Sequence, residues 1–309
     1  MMKILISGSL AYDRIMDFPG HFEDHILPDK IHILNVCFTV NGLTEKFGGT
    51  AGNIAYSLAL LGEQPLVLAA AGKDFDAYRK WLSRHGLPLE GIVSIPDELT
   101  ASAYITTDKG DNQITGFNPG AMKYPSGYCL DGLRGKDALA IISPGNLEDM
   151  VDYSRKYKTA GIPYICDPGQ SIPALSEGQM EEMLTGCAVL ISNDYELEMI
   201  LKKTALGLED VIERVGALIT TLGEKGAEIR RRGEQTRIPA VSVSQVKDPT
   251  GAGDAFRAGL IKGMVDGKDL LDAARIGATC AAYAVEQLGT QEHRFSPEQF
   301  WERHRRAFS

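Results

Sequence analysis

Short apolar runs alternate with segments whose apolar positions recur at helical spacing, from one end of the chain to the other. Residues 3–7 predict a buried strand. Residues 51–61 predict a helix that stops at Gly62, where a left-handed cap suits glycine. Residues 66–71 return as a strand, and Asp74 is placed to cap a helix running to about His85 and closed by Gly86. From residue 138 the rhythm resumes, with strands expected at 138–143, 163–167, 189–192 and 217–222. Helical patterns fill 147–160, 176–186, 194–203 and 208–215 between and after them. A hairpin is expected from 226–231 with 236–238, then long helices at 252–265 and 270–288 and a last one from Pro297. Strands interleaved with helices predict an α/β fold: a mostly parallel sheet covered by helices.

The middle of the chain breaks this rhythm. Residues 20–47 carry little helical period, while 30–40 alternate apolar and polar positions as a half-exposed strand does. Residues 101–107 and 113–117 are β-rich and joined by the turn Asp108-Lys109-Gly110-Asp111. The expectation is one domain over 1–309 carrying a small antiparallel sheet, inserted at about 14–47 and 100–122 and serving as a lid.

Composition narrows the classes. The chain has 309 residues, 44% of them hydrophobic, which is enough for a well-filled core and excludes disorder. A net charge of −9 argues against a nucleic-acid or membrane-surface binder but leaves room for an anionic substrate in a locally positive pocket. Five scattered cysteines with no CxxC pair support neither a disulfide framework nor a zinc knuckle. The expected setting is a reducing cytoplasm, with no signal peptide before the first strand and no apolar run near the ~18 residues of a membrane span.

The strongest chemical signal is Asp248-Pro249-Thr250-Gly251-Ala252-Gly253-Asp254, followed at once by an apolar helix. Small residues at a helix start let the backbone N–H groups of Gly251, Ala252 and Gly253 converge on an anion, aided by the helix dipole. A carboxylate at that point would repel a phosphate, yet it makes sense as a base that takes a proton from an attacking hydroxyl. Spacing alone equally suits a glycine-rich turn whose Asp caps the helix. Neither a dinucleotide-binding GxGxxG nor a P-loop fits, because Phe256 stands where a third glycine would fall and Gly263 to Lys268 is too short and runs into Asp269.

These residues make the chain resemble the ribokinase-like, or PfkB, carbohydrate kinases from end to end. The likeness rests on residues 8–13, on Gly48-Gly49-Thr50-Ala51-Gly52-Asn53, on Asn193-Asp194-Tyr195-Glu196, on 221–226 and on 248–254, in that order. The resemblance implies a three-layer α/β/α fold with a β lid, and ATP with Mg²⁺. It implies Asp254 as the base, with Gly251, Ala252 and Gly253 around the transferring phosphoryl group. Asn193 and Glu196 would organise Mg²⁺ through water, unless they serve only as a helix cap and its capping-box partner. Thr221, Gly223 and Gly226 would line the ATP channel. Asp13, Gly48, Gly49 and Asn53 would hold the acceptor. A K⁺ ion would sit on Asp248 and Thr250 with carbonyls near Ala284, Gln287 and Gly289. His21 and His25 lack a third ligand and are read as solvated lid residues, and Arg230 to Arg232 as a surface feature.

In detail the chain is similar to the adenosine and nucleoside kinases of this family, through residues 111–122, Asp167-Pro168-Gly169-Gln170 and the Asp-Pro-Thr form of the anion-hole motif. The expected reaction is phosphorylation of a nucleoside 5′-hydroxyl, adenosine first. Phe117, with Met122, Phe38 and Phe47, would wall the base, or else these side chains pack the small sheet on the core. A phosphorylated acceptor would draw on Lys46, Lys109 or Lys123. The alternatives are a free-sugar kinase of the ribokinase or fructokinase type, disfavoured by Ser143-Pro144-Gly145-Asn146 where a carboxylate would stand, and a silent nucleoside sensor, disfavoured by the intact Asp254. Nucleoside and ATP are the expected partners, the chain acting as a monomer or a homodimer.

Overall fold

The computed structural model describes residues 2–309. The first half of the chain runs β1 (Lys3–Ser7), β2 (Ala11–Asp17), β3 (Leu43–Gly48), α1 (Thr50–Leu60), β4 (Leu66–Gly72), α2 (Asp76–Arg84), β5 (Ile92–Ile95), β6 (Ala101–Thr107), β7 (Gln113–Asn118) and β8 (Ala138–Ile142). It continues with α3 (Leu147–Ala160), β9 (Tyr164–Cys166), α4 (Glu177–Leu184), β10 (Val189–Asn193), α5 (Asp194–Thr204), α6 (Leu208–Arg214) and β11 (Leu218–Thr221). The hairpin β12 (Ala227–Arg231) and β13 (Glu234–Ile238) leads to α7 (Ala252–Val265), α8 (Leu270–Val285) and α9 (Pro297–Phe308).

Among the described residues the strands form a nine-stranded sheet, ordered β13-β12-β11-β10-β9-β8-β1-β4-β5, and a four-stranded sheet, ordered β3-β2-β6-β7. From β11 across to β5 the large sheet is parallel, and only β12 of the terminal hairpin runs against it. Alternating side chains feed two cores. Ile4 and Ile6 point into the layer with α1, α2, α7 and α8, while Leu5 points into the layer with α3 to α6. The chain leaves β1 toward β4 on one side and leaves β8 toward β9 on the other. The crevice beyond the carboxyl ends of these neighbours is therefore the switch point at which α/β sheets bind ligands. No helix among the described residues is long and apolar enough to cross a membrane.

Several expectations change. Asp74 does not cap a helix: α2 starts at Asp76, and the Asp74 carboxylate accepts the Thr100 N–H at 2.7 Å and pairs with Arg14 at 3.2 Å. Residues 30–40 are no strand. Pro28–Ile33 forms 3₁₀ turns with Ile31 and Ile33 exposed, so the alternation there reflects no sheet face. The strand of that region is β3, a few residues later. β2 and β5 carry no sequence expectation, because Asp13, Arg14 and Asp17 interrupt the apolar alternation and β5 is only four residues long. The small sheet is mixed rather than antiparallel, since β2 pairs with β6 in parallel across a long connection. α8 ends at Val285, three residues short, where the backbone turns to receive the Lys247 N–H on the Val285 carbonyl. His25 is solvent-exposed, as expected, while one edge of its ring packs against Phe18.

Candidate active site

The 248–254 loop is tied down at both ends. One Asp248 oxygen accepts the Thr250 N–H at 2.8 Å and the other accepts the Gly289 N–H at 2.9 Å. Burial pushes the Asp248 carboxyl up, but these hydrogen bonds outweigh it and hold the group below its ordinary range. Gly251 adopts φ +79°, a left-handed conformation open to glycine, and turns the chain sharply into α7. Among the described residues the N–H groups of Gly251, Gly253 and Asp254 have no hydrogen-bond acceptor. Orphaned donors at a helix start, with the dipole behind them, fit a phosphoryl group. The Ala252 N–H, expected to join them, turns to the Pro249 carbonyl at 3.2 Å.

Asp254 sits in the first turn of α7 and accepts the Asn53 Nδ2–H at 2.8 Å. Burial pushes its carboxyl up to about 6, with Asp167 and Glu196 adding to the rise and Arg257 and Asn53 opposing it. Asn53 is 5% exposed in the first turn of α1. Its amide is oriented by Gln291, whose Nε2 donates to Asn53 Oδ1 at 3.0 Å and to the Tyr78 hydroxyl at 2.6 Å. Gln291 Oε1 accepts from Trp81 Nε1 at 2.9 Å, and the Tyr78 hydroxyl donates to the Gly48 carbonyl at 2.8 Å. With every amide hydrogen bond assigned, Asn53 can only present its N–H₂ to Asp254.

Asp13 leaves β2 beside β3, its carboxylate lying over Gly48, where a Cβ would fall 2.6 Å from Asp13 Oδ2. Burial, and next the charge of Asp248, raises the Asp13 carboxyl to about 6 against the pull of Lys46. Gly49 follows with φ +85° and joins β3 to α1. Lys46 Nζ donates to the Leu288 carbonyl at 2.7 Å, and Thr290 Oγ1 donates to the Phe47 carbonyl at 3.1 Å. The small sheet is thereby fastened to the loop that also receives Asp248.

On the far side, Asn193 ends β10 and caps α5. Its Oδ1 accepts the Glu196 N–H at 2.7 Å, while Glu196 Oε2 accepts the Asn193 N–H at 2.9 Å. This reciprocal capping leaves Glu196 close enough to raise the carboxyls of Asp254 and Asp167. Thr221 ends β11 beside it, and Gly223 and Gly226, at φ +58° and +89°, make the turn into β12. Among the described residues no three metal-ligating side chains converge. Glu196 near an anion hole suits Mg²⁺, which takes one or two carboxylates, waters and substrate phosphates.

The structure thus gathers Asp13, Gly48, Asn53, Asp248 and Asp254 around one crevice, with Asn193 and Glu196 on its far side. Gly289 joins Asp248, but the Ala284 carbonyl accepts the Gln287 N–H at 3.1 Å within its own turn. Phe117 is 49% exposed on β7. Phe47 stacks on Trp81 with ring centroids 5.4 Å apart, and Phe38 packs on Phe18 at 4.8 Å, so both are occupied in packing. Sequence reasoning missed Gln291, Tyr78 and the Arg257–Asp167 ion pair. A lone arginine inside an apolar helix was the available signal for the last, since a buried charge needs a partner.

The pfkB family carbohydrate kinase model matches residues 12–297. The chain belongs to the pfkB family. The kinase is thus a phosphotransferase with an alcohol acceptor. It is 31% identical over 294 residues to a nucleoside kinase of Methanocaldococcus jannaschii, covering 94% of this chain and 93% of that one. The nucleoside kinase of Burkholderia thailandensis, solved in complex with inosine, shares 38% identity and a TM-score of 0.86 over 99% of this chain and 98% of that one. The same protein solved in complex with ADP-inosine has a TM-score of 0.83 at 39% identity, over 99% and 96%. A ribokinase of Bacillus subtilis is 26% identical over 79% of this chain and 83% of its own.

Proposed function

We propose that this kinase transfers the γ-phosphoryl group of ATP to the 5′-hydroxyl of a nucleoside, adenosine foremost, yielding the nucleoside 5′-monophosphate and ADP for purine salvage in the cytoplasm. The observation that carries the reading is Asp254, a carboxyl raised to about 6 and held by Asn53 beside unpaired N–H groups. The similarity to the two nucleoside kinases supports the acceptor class.

Asp254 accepts the hydroxyl proton as O5′ bonds to phosphorus and the bond from phosphorus to the bridging oxygen breaks, and it later gives that proton to solvent. The Gly251 and Gly253 N–H groups meet the charge on the transferring phosphoryl oxygens. Asp13 accepts from the ribose hydroxyls, while Thr221, Gly223 and Gly226 border the ATP. Glu196 and Asn193 would hold Mg²⁺, which when bound would offset phosphate charge. Asp248, Thr250 and the 284–289 backbone offer a K⁺ place beside the loop. The four-stranded sheet serves as the lid over the acceptor, with Phe117 toward the base, and its free edge at β7 suits a homodimer as well as a monomer.

Release of ADP with Mg²⁺ and ATP, with and without K⁺, across adenosine, guanosine, inosine, cytidine, ribose and fructose tests the reading. Turnover led by adenosine is expected. Turnover led by ribose or fructose overturns the nucleoside assignment, and silence with all six beside measurable adenosine binding replaces it with a sensor.

The same reading sets a pH profile. Asp254 and Asp13 are both raised to about 6 and must both be ionised, one to accept a proton and one to accept hydroxyl hydrogen bonds. kcat/KM for adenosine is expected to fall as pH drops through about 6, with a log slope approaching two. In Asp13→Asn the slope should relax toward one. A wild-type profile flat down to pH 5 would contradict both roles.

A further inference from the structure

Arg257 lies one turn beyond Asp254 on α7 and is 7% exposed, although it is a permanent charge. Its Nε and Nη2 are both bonded to Asp167 at the carboxyl end of β9, Nη2 at 2.6 Å from Oδ1. Among the described residues Nη1 has no hydrogen-bond acceptor. Helical side chains lean toward the N-terminus, which carries this guanidinium back over the first turn of α7. A Cβ at Gly253 would fall 2.8 Å from Nη1, so the absence of a side chain there makes the room the guanidinium occupies. The unspent donor lies against the same helix start whose Gly251, Gly253 and Asp254 N–H groups are also unpartnered.

One carboxylate uses only part of a five-donor fork, and Nη1 is not among the enclosed side-chain atoms that lack a partner, so this donor keeps an open face on which an acceptor can approach. The charges of Asp254 and Glu196 both act on Arg257, which places it among the groups around the phosphoryl position rather than in a separate core pair. Asp167 holds two nitrogens and so aims the third.

We propose that Arg257 is a catalytic residue, its Nη1 donating to an oxygen of the transferring phosphoryl group across Gly253, with Asp167 as the positioning residue. The step is the one already given: the bond from O5′ to phosphorus forms, the bond to the bridging oxygen breaks, and Asp254 takes the proton. Arg257 neither gains nor loses a proton; it meets charge that spreads over the equatorial oxygens, as an arginine supplied from within the same chain does in other phosphoryl transfers. The inference rests on the phosphotransfer reading and not on which alcohol is the acceptor.

The acceptor panel is run on the wild type first, and the preferred acceptor is used thereafter. Arg257→Lys keeps the charge but loses the fork, and kcat is expected to fall at least a hundredfold with the acceptor KM within threefold. Binding of ADP with aluminium fluoride and acceptor, a planar phosphoryl mimic, should lose its fluoride-dependent tightening in this variant while plain ADP binding stays. Added guanidinium ion should restore part of the turnover of Arg257→Ala. A folded Arg257→Lys with kcat within threefold of wild type, or with the tightening intact, overturns the proposal. Should the variants not fold, the wild type decides: the Arg257 Nη1 proton resonance must shift downfield when the mimic binds, and an unmoved resonance overturns the proposal. A wild type active on ribose but not on nucleosides overturns the nucleoside reading alone, because the Arg257 comparison then proceeds with ribose.

Discussion

Asp254→Asn is expected to lower kcat by about a thousandfold, within the range that a positioned proton acceptor contributes. The amide has the same shape and its oxygen can still accept the Asn53 N–H, now at 2.8 Å, so adenosine binding should stay within about threefold. Calorimetric binding and steady-state turnover, measured together, separate the two effects. Stability should move the other way. The folded carboxyl titrates at about 6 against an ordinary 3.8, so the stability this group supplies is fully present below 3.8 and lost as pH rises through 6. At pH 8 the wild type therefore carries a buried charge that the variant lacks. The variant should melt higher there, and the gain should vanish near pH 4. Near-normal turnover would remove Asp254 from the role of base, and a lower Tm at pH 8 would contradict the burial argument.

Gly49→Ala should cost both fold and acceptor binding at a single methyl group. Gly49 has φ +85° with ψ 138°, a region that L-residues rarely enter. A Cβ there would lie 2.6 Å from the Ser9 carbonyl oxygen and 2.7 Å from the Ala11 nitrogen, both backbone atoms that cannot swing aside. Strain and overpacking together cost about 3 kcal/mol or more. For a chain of this size that corresponds to a drop in Tm of roughly 5–10 °C. Because the junction carries Asp13 on one side and Asn53 on the other, adenosine affinity should fall at least tenfold at temperatures where the variant is folded. Thermal melting and adenosine titration check both. A variant with wild-type Tm and affinity would mean that the β3–α1 turn does not shape the acceptor crevice.

Much of this was legible along the chain. The strand at residues 3–7 and the helix at 252–265 fall where apolar spacing predicts them, because period two and period 3.6 are local properties of a short window. The small sheet was harder to read. β2 mixes Asp13 and Arg14 into a strand, since one flank of it faces the crevice and Arg14 reaches Glu45, Ser102, Tyr104 and Asp74. Residues 30–40 misled for the converse reason: Ile31 and Ile33 alternate with polar neighbours, yet both are exposed. Hydrophobic alternation reports a sheet face only when something covers that face.

The chemistry divides along the same line. Small residues ahead of an apolar helix, with one carboxylate among them, were enough to locate an anion hole and its base, because a helix start and its dipole are made by contiguous residues. Which partners set the behaviour of that base was decided only by folding. Asn53 reaches Asp254 across 201 positions of sequence, Gln291 reaches Asn53 across 238, and Arg257 meets Asp167 across 90. No local window contains such pairs. They follow from the outward winding of the sheet from β1 and β8, which brings the carboxyl ends of distant strands and the first turns of α1 and α7 to one crevice. The elevation of Asp254 to about 6 belongs to that level as well, because burial and neighbouring charge are properties of the assembled crevice and not of the residues that line it.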